Sequence, residues 1–309
     1  MTGTADHLAF AHPALFYRDT AELLAGTVPF VLSGLAAGEP VAVAVPGGNL
    51  DLLRAELGGD ASRVQLFDMT EVGRNPGRII AEVLLAVVHR HPGQRVRIIG
   101  EPIWPGRSEL EYPACLLHEA LINLAFRDRA ATVLCPYDAA GLDARILADA
   151  AATHPVLIEN GGRRPSADFA PEGVLARCNR PLPEPAGAAE LGVDAGNLRQ
   201  ARHLVAERGR RAGLSDDQVD ALVLAAGELL ANSLRHGGGT GVLRIWPEPG
   251  HLVCEVRDAG RITDPLAGRR PADAHQQGGR GLLMVHHLAD LVRGHIGPDG
   301  TTTRVYLRR

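Results

Sequence analysis

Two different periods of hydrophobic and polar positions run along the chain. In its first half, short β-rich apolar runs, VAVAV (41–45), VQLF (64–67), VRIIG (96–100), ATVLC (131–135) and VLI (156–158), are separated by longer stretches of helical periodicity near 18–37, 48–57, 76–91, 108–126 and 142–151. Strands that alternate with helices need crossover connections, so this half is expected to be a doubly wound α/β domain with a mostly parallel sheet. Pro181, Pro183 and Pro185 then fall within five positions, where neither a helix nor a central strand can continue. They mark 179–190 as a linker between domains 1–178 and 191–309. Beyond it the order changes to helices near 194–212 and 216–236, strands at 241–247 and 251–257 joined by Pro247-Glu248-Pro249-Gly250, a helix at 282–292 and a last strand at 302–308. A hairpin followed by a further strand, with helices grouped apart, predicts an α+β domain with an antiparallel sheet layered on helices.

The helix expected at 216–236 carries a polar stripe. Glu228, Asn232 and His236 recur every fourth position and share a face bordering Leu222, Ala226, Leu229 and Ser233. Polar groups at the edge of a core either line a pocket or form a solvated flank, and the spacing alone does not decide between them. Downstream, LVCEVRDAG ends a strand with Asp258-Ala259-Gly260, and Gly278-Gly279-Arg280-Gly281-Leu282 stands directly before a helical run. Glycines there leave backbone N–H groups open, and a helix N-terminus adds partial positive charge, a combination suited to a phosphate chain. An acid-amide helix, a DxG at a strand end and a GxGL at a helix start, in that order, together point to a nucleotide site.

On these motifs, and on the lead-in ARHLVAERGRRAGLSDDQVDALVLAAGELLANSLRHGG, residues from about 190 to 309 resemble the GHKL ATPase superfamily, and most of all its anti-sigma-factor serine kinases. The resemblance implies an ATP-binding α/β sandwich. It implies that Glu228 is the catalytic base, that Asn232 holds Mg²⁺ bridging the phosphates, that Asp258 accepts the adenine amino group beside Gly260, and that Gly279 and Gly281, with Arg280 and Leu282 around them, wrap the phosphates. His236 either closes this pocket or simply complements the helix dipole near a helix C-terminus. A hydroxyl beside the adenine site is expected from Thr301, Thr302 or Thr303, with Thr303 taken as the lining residue. Chemistry agrees with these roles: Mg²⁺ accepts a single protein oxygen when phosphates and water complete its shell, and a carboxylate one turn away can take the proton of an attacking hydroxyl.

With HPALFYRDTAELLAGTVPFVLSGLAAGEPVAVAVP, GEPIWPGRS and VLCPYD, residues 7 to about 170 resemble the methanogen/methylotroph sensory (MEDS) domain, a RecA-like α/β module without nucleotide motifs. The resemblance implies sensing of an unspecified small-molecule signal. Independently of it, ligands of open parallel sheets bind beyond the carboxyl ends of strands, where Asp68, Glu101, Trp104, Tyr137 and Asp138 stand; turn chemistry is the competing explanation for them. Glu119 and Asn123 repeat the ExxxN spacing without a following DxG or GxGL, and are read as structural helix residues or part of the sensory pocket. His12 and His118 are possible metal ligands that nothing pairs in sequence.

Composition narrows the partners. In 309 residues, 32 basic against 36 acidic side chains leave a net charge of -4, with no basic excess for direct nucleic-acid binding. The longest apolar candidate, 28–45, is broken by Glu39 and Pro40, and the start MTGTADHLAF has no export-signal pattern, so a cytoplasmic protein away from the membrane is expected. Cys115, Cys135, Cys178 and Cys254 lack CxxC spacing, which argues against a zinc site and a disulfide framework. The expected function is a signalling regulator whose sensory domain controls an ATP-binding domain that phosphorylates Ser or Thr of a partner, a sigma factor or an anti-anti-sigma-like protein. A non-catalytic ATP-dependent sequestering module is the alternative. A sensor histidine kinase is the other, although only His203 sits upstream on a suitable helix and no helical hairpin fits before it. Related kinases pair through a sheet edge, so the resemblance extends to a homodimer.

Overall fold

The computed structural model describes residues 10–271 and 279–309. Gly278 and the segment 1–9, which the sequence reading used, lie outside the described residues. The chain divides into two compact units between Cys178 and Asn179.

The first unit carries strands β1 (Pro13–Tyr17), β2 (Val41–Val45), β3 (Gln65–Asp68), β4 (Val96–Gly100), β5 (Ala131–Asp138), β6 (Val156–Glu159) and β7 (Gly162–Pro165). Its helices are α1 (Thr20–Ala36), α2 (Gly47–Leu57), α3 (Met69–Val72), α4 (Pro76–Ile79), α5 (Leu85–Arg90), α6 (Tyr112–Ala125), α7 (Ala144–Thr153) and α8 (Pro171–Cys178). The strands form a seven-stranded sheet in the order β3-β2-β4-β5-β1-β6-β7. Every pairing is parallel except β6 with β7. Every residue of VAVAV in β2 is buried, as befits a strand between two parallel neighbours with helices on both faces. Helix α1 starts where the Asp19 side chain accepts the Glu22 backbone N–H. The expected helix at 76–91 is continuous but includes a π-helical stretch, Ile80–Leu84. The packed interior includes Leu15, Val31, Val43, Leu53, Ile99 and Leu134.

The second unit adds β8 (Ala189–Val193), α9 (Leu198–Arg211), α10 (Asp216–His236), β9 (Gly241–Glu248), β10 (His251–Asp258), α11 (Arg280–Leu288), β11 (Leu291–Gly297) and β12 (Gly300–Arg308). Its five-stranded antiparallel sheet has the order β11-β12-β10-β9-β8. A capping box starts α10: the Ser215 hydroxyl accepts the Gln218 N–H while the Gln218 side chain accepts the Ser215 N–H. Its apolar stripe, with Leu222, Ala226 and Leu229, packs on Leu243, Cys254 and Val305 of the sheet.

Strands β1, β7 and β8 lie outside the runs read off the sequence, and two further features differ from that pattern. The helix expected to run to residue 292 stops at Leu288, because Ala289 is extended and the Asp290 N–H donates to Tyr306 O, which carries the chain into β11 beside β12. The proline-rich stretch is tied to the second sheet along its length. Asn179 brackets Ile296 with two hydrogen bonds of 2.8 Å, Arg304 donates to the Pro183 carbonyl, and Glu184 pairs with Arg244 and Arg257.

Candidate functional site

A cavity of about 1010 Å³ opens in the second unit between α10, the ends of β10 and β12, and the start of α11. Glu228, Asn232 and His236 reach it from α10, Asp258 and Gly260 from the end of β10, and Gly279, Arg280, Gly281 and Leu282 from the start of α11. The spacing of four along α10 turns the three polar side chains to one side of that helix. Thr301 and Thr303 both line the cavity from β12, whereas Thr302, one residue out of phase, faces the other side of the sheet.

The polar groups are oriented by their neighbours. Asp258 Oδ2 accepts the Ser233 hydroxyl at 2.7 Å, and Oδ1 accepts the Gly260 N–H at 2.8 Å. The carboxylate is therefore fixed in direction yet keeps lone-pair capacity toward the cavity. Thr301 donates to the Gly260 carbonyl at 2.8 Å and ties β12 to this turn. A Cβ on Gly260 would meet the His236 carbonyl oxygen at 2.6 Å, so only glycine lets the two chain segments approach this closely. Asn232 Oδ1 accepts a 3.3 Å hydrogen bond from the exposed Arg235, a weak contact that a cation can replace. At the far end, Gly279 caps α11 in the left-handed conformation, and a Cβ on Gly281 would lie 2.5 Å from Glu228 Oε2. A hard oxygen on Asn232, a carboxylate one turn away and an open helix N-terminus form a donor set that fits Mg²⁺ and a polyphosphate. Ser233 joins this site without having been assigned a role by motif, while Thr301, one of the three candidate hydroxyls, lines it together with Thr303. Ser233 interrupts an apolar stripe, and that is the signal for it in the sequence.

Residues 192–307 match the family described as histidine kinase-like ATPase domain. Residues 11–155 match the family described as MEDS, the methanogen/methylotroph, DcmR sensory domain. The chain joins a MEDS domain to a histidine kinase-like ATPase domain. No curated protein matches the sequence. Among solved structures, the RsbU and RsbW domains of Rv1364c from Mycobacterium tuberculosis are similar at 21% identity with a TM-score of 0.31, over 40% of this chain and 33% of that one. The ATPase-type domain implies ATP binding, and no helix among the described residues is long and apolar enough to cross a membrane.

In the MEDS domain the residues expected at the strand ends separate into two kinds. Asp68 caps α3 through the Thr70 N–H, and Asp138 accepts the N–H groups of Ala140 and Gly141, so both hold turns. Trp104 lies under the Arg107 guanidinium at 4.0 Å. Glu101 is fully buried and accepts the Tyr17 hydroxyl and the Asn49 amide, each at 2.8 Å. Burial pushes its pKa up to about 7, against the opposing effect of those two hydrogen bonds. Tyr137 is buried, and burial together with the Glu119 charge holds its phenol well above the ordinary range.

A second polar centre lies deeper in this domain. Glu119 is buried against His12, His154 and Cys135, while Asn123 accepts from His12 Nδ1 through Oδ1 at 3.2 Å and donates through Nδ2 to the Thr153 carbonyl at 2.8 Å. Burial, and next the proximity of His154, bring the His12 pKa down to about 4. Burial pushes the Cys135 thiol well up. Sequence spacing spoke against a cysteine and histidine centre, because its members lie in four separate segments; the parallel sheet brings them together.

Proposed function

We propose that this chain is a signalling regulator in which the MEDS domain receives a small-molecule signal and the ATPase domain binds Mg-ATP and transfers its terminal phosphate to a serine or threonine of a partner from the sigma-factor regulatory network. The observation that supports it most is the convergence of Glu228, Asn232, Asp258 and the Gly279–Gly281 turn on one cavity. When bound, magnesium supplies charge neutralisation for the phosphates. Asn232 holds the cation through its amide oxygen, and the N-terminus of α11 faces the phosphates. Asp258, steadied by Ser233, accepts the exocyclic amino group of adenine. Glu228 orients the acceptor hydroxyl and takes its proton, which requires the carboxylate to stay free of other partners.

The test is phosphate transfer from labelled Mg-ATP to a small antagonist-like protein or an alternative sigma factor encoded beside this chain. Asn232→Ala is expected to weaken magnesium-dependent nucleotide binding, and Glu228→Gln to retain binding and lose transfer. Transfer undiminished in Glu228→Gln contradicts the role of the carboxylate. ATP-dependent partner binding without transfer in the wild type would instead identify a sequestering module.

A further inference from the structure

Four donor atoms meet in the interior of the MEDS domain, each delivered by a different part of the fold. His12 immediately precedes β1, Glu119 lies in α6, Cys135 in β5, and His154 caps the end of α7. One donor atom from each lies within 4.8 Å of the other three, and all four residues are buried. Glu119 Oε2 is 3.3 Å from His12 Nε2, 3.4 Å from His154 Nε2 and 3.6 Å from Cys135 Sγ, and that sulfur is 3.4 Å from His12 Nε2. A tetrahedral cation bound at about 2.0–2.1 Å by nitrogen and oxygen and about 2.3 Å by sulfur sets its ligands about 3.3–3.6 Å apart. These four of the six ligand–ligand separations have the lengths of such tetrahedral edges, and the other two lie within 4.8 Å.

The outer contacts turn the rings the same way. His154 Nδ1 lies 2.8 Å from the Ala150 carbonyl oxygen, and His12 Nδ1 lies 3.2 Å from Asn123 Oδ1. Both are acceptors, so each Nδ1 carries the proton and each Nε2 presents a lone pair to the cluster. The cluster thus holds two nitrogen lone pairs beside a carboxylate to which the Cys135 S–H donates and beside which the buried Tyr137 hydroxyl lies, and among the described residues His154 Nε2 is buried without a regular hydrogen-bond partner. Acceptors crowded together in a dry interior cost free energy unless a cation sits among them. Imidazoles oriented by an outer carbonyl are also the arrangement by which proteins fix metal-binding histidines.

We propose that His12, Glu119, Cys135 and His154 form a closed four-ligand site for one borderline-soft divalent cation, of which Zn²⁺ fits best. The sulfur and two imidazoles disfavour Mg²⁺ and Ca²⁺, which take hard oxygen ligands. On binding, Cys135 loses its proton to solvent, and the thiolate and carboxylate together neutralise the 2+ charge, which makes burial of the ion tolerable. Because the ligands come from four segments, the ion clamps α6 and the end of α7 to the central strands β1 and β5. The site is independent of the nucleotide reading of the second domain.

The test uses the full chain produced in medium supplemented with zinc or cobalt. About one metal ion per chain is expected, with an X-ray absorption first shell containing one sulfur, and a sulfur-to-cobalt charge-transfer band in the cobalt form that Cys135→Ser abolishes. Asn123→Ala, which removes the oxygen holding His12 without removing a ligand, should weaken Zn²⁺ binding by about 10- to 100-fold. Wild-type protein that carries neither metal, or a first shell without sulfur, would overturn the proposal, and the absorption measurement stands even where Cys135→Ser fails to fold.

Discussion

The Ser233 hydroxyl donates to Asp258 Oδ2 at 2.7 Å, linking the last turn of α10 to the last residue of β10 beside the nucleotide-type cavity. A hydrogen bond to a charged group contributes about 1.5–3 kcal/mol where water is excluded, and less where the carboxylate is half exposed. Ser233→Ala should therefore loosen the Asp258 carboxylate and weaken ATP affinity about fivefold to thirtyfold, measured by titration calorimetry. An unchanged affinity would mean that Asp258 does not face the base.

Glu228 and the start of α11 are matched as closely. A methyl group at residue 281 would fall 2.5 Å from Glu228 Oε2, so Gly281→Ala must displace that carboxylate. Alanine suits a helix better than glycine, so the melting temperature should hold or rise. The expected outcome is a fall in phosphate transfer of more than about tenfold in a protein as stable as the wild type, since misplacing a positioned group by about an ångström costs that much or more. Transfer at the wild-type rate would remove Glu228 from the reaction.

In the MEDS domain, Glu101 makes a pH-dependent contribution. Its pKa lies near 7 in the folded chain, against 4.5 as the ordinary value, because burial disfavours the charged form. Between these two values the unfolded chain has released this proton while the folded one retains it, so stability falls as pH rises through that window and is flat with respect to this group on either side. The loss amounts to about 3 kcal/mol at most, or roughly 5–10 °C in melting temperature for a domain of this size. Glu101→Gln should remove this part of the slope between pH 5 and 7; a slope that survives the substitution would assign it to other groups.

The parts of the molecule that depend on local periodicity are legible in the sequence. VAVAV announces a buried parallel strand, and the Ser215-Asp216-Asp217-Gln218 start of α10 carries its own capping box. Glu228, Asn232 and His236 can be placed together because a helix converts spacing into a shared face. What periodicity cannot carry is pairing across distant segments. Strand β11 hides behind an apolar helix-like run and is specified by its partner β12, and β8 hides beside the prolines and is specified by β9. Thr301 is distinguished from Thr302 by strand phase alone. His12 and His154 stand 142 positions apart in the sequence numbering, and only the adjacency of β1 with β5 and β6 brings their rings to 4.0 Å.

The central claim, that the second domain is built for adenine nucleotide, is tested most directly by calorimetric titration of the full chain with Mg-ATP and Mg-GTP, alongside Asp258→Asn. On the proposed reading Asp258 would pair with the amino group of adenine but face a carbonyl oxygen in guanine, and an unpaired carboxylate costs about 1–3 kcal/mol. The account predicts that ATP binds roughly ten- to a hundredfold more tightly than GTP and that Asp258→Asn removes most of this preference. Equal affinities for the two nucleotides in the wild-type chain would contradict it.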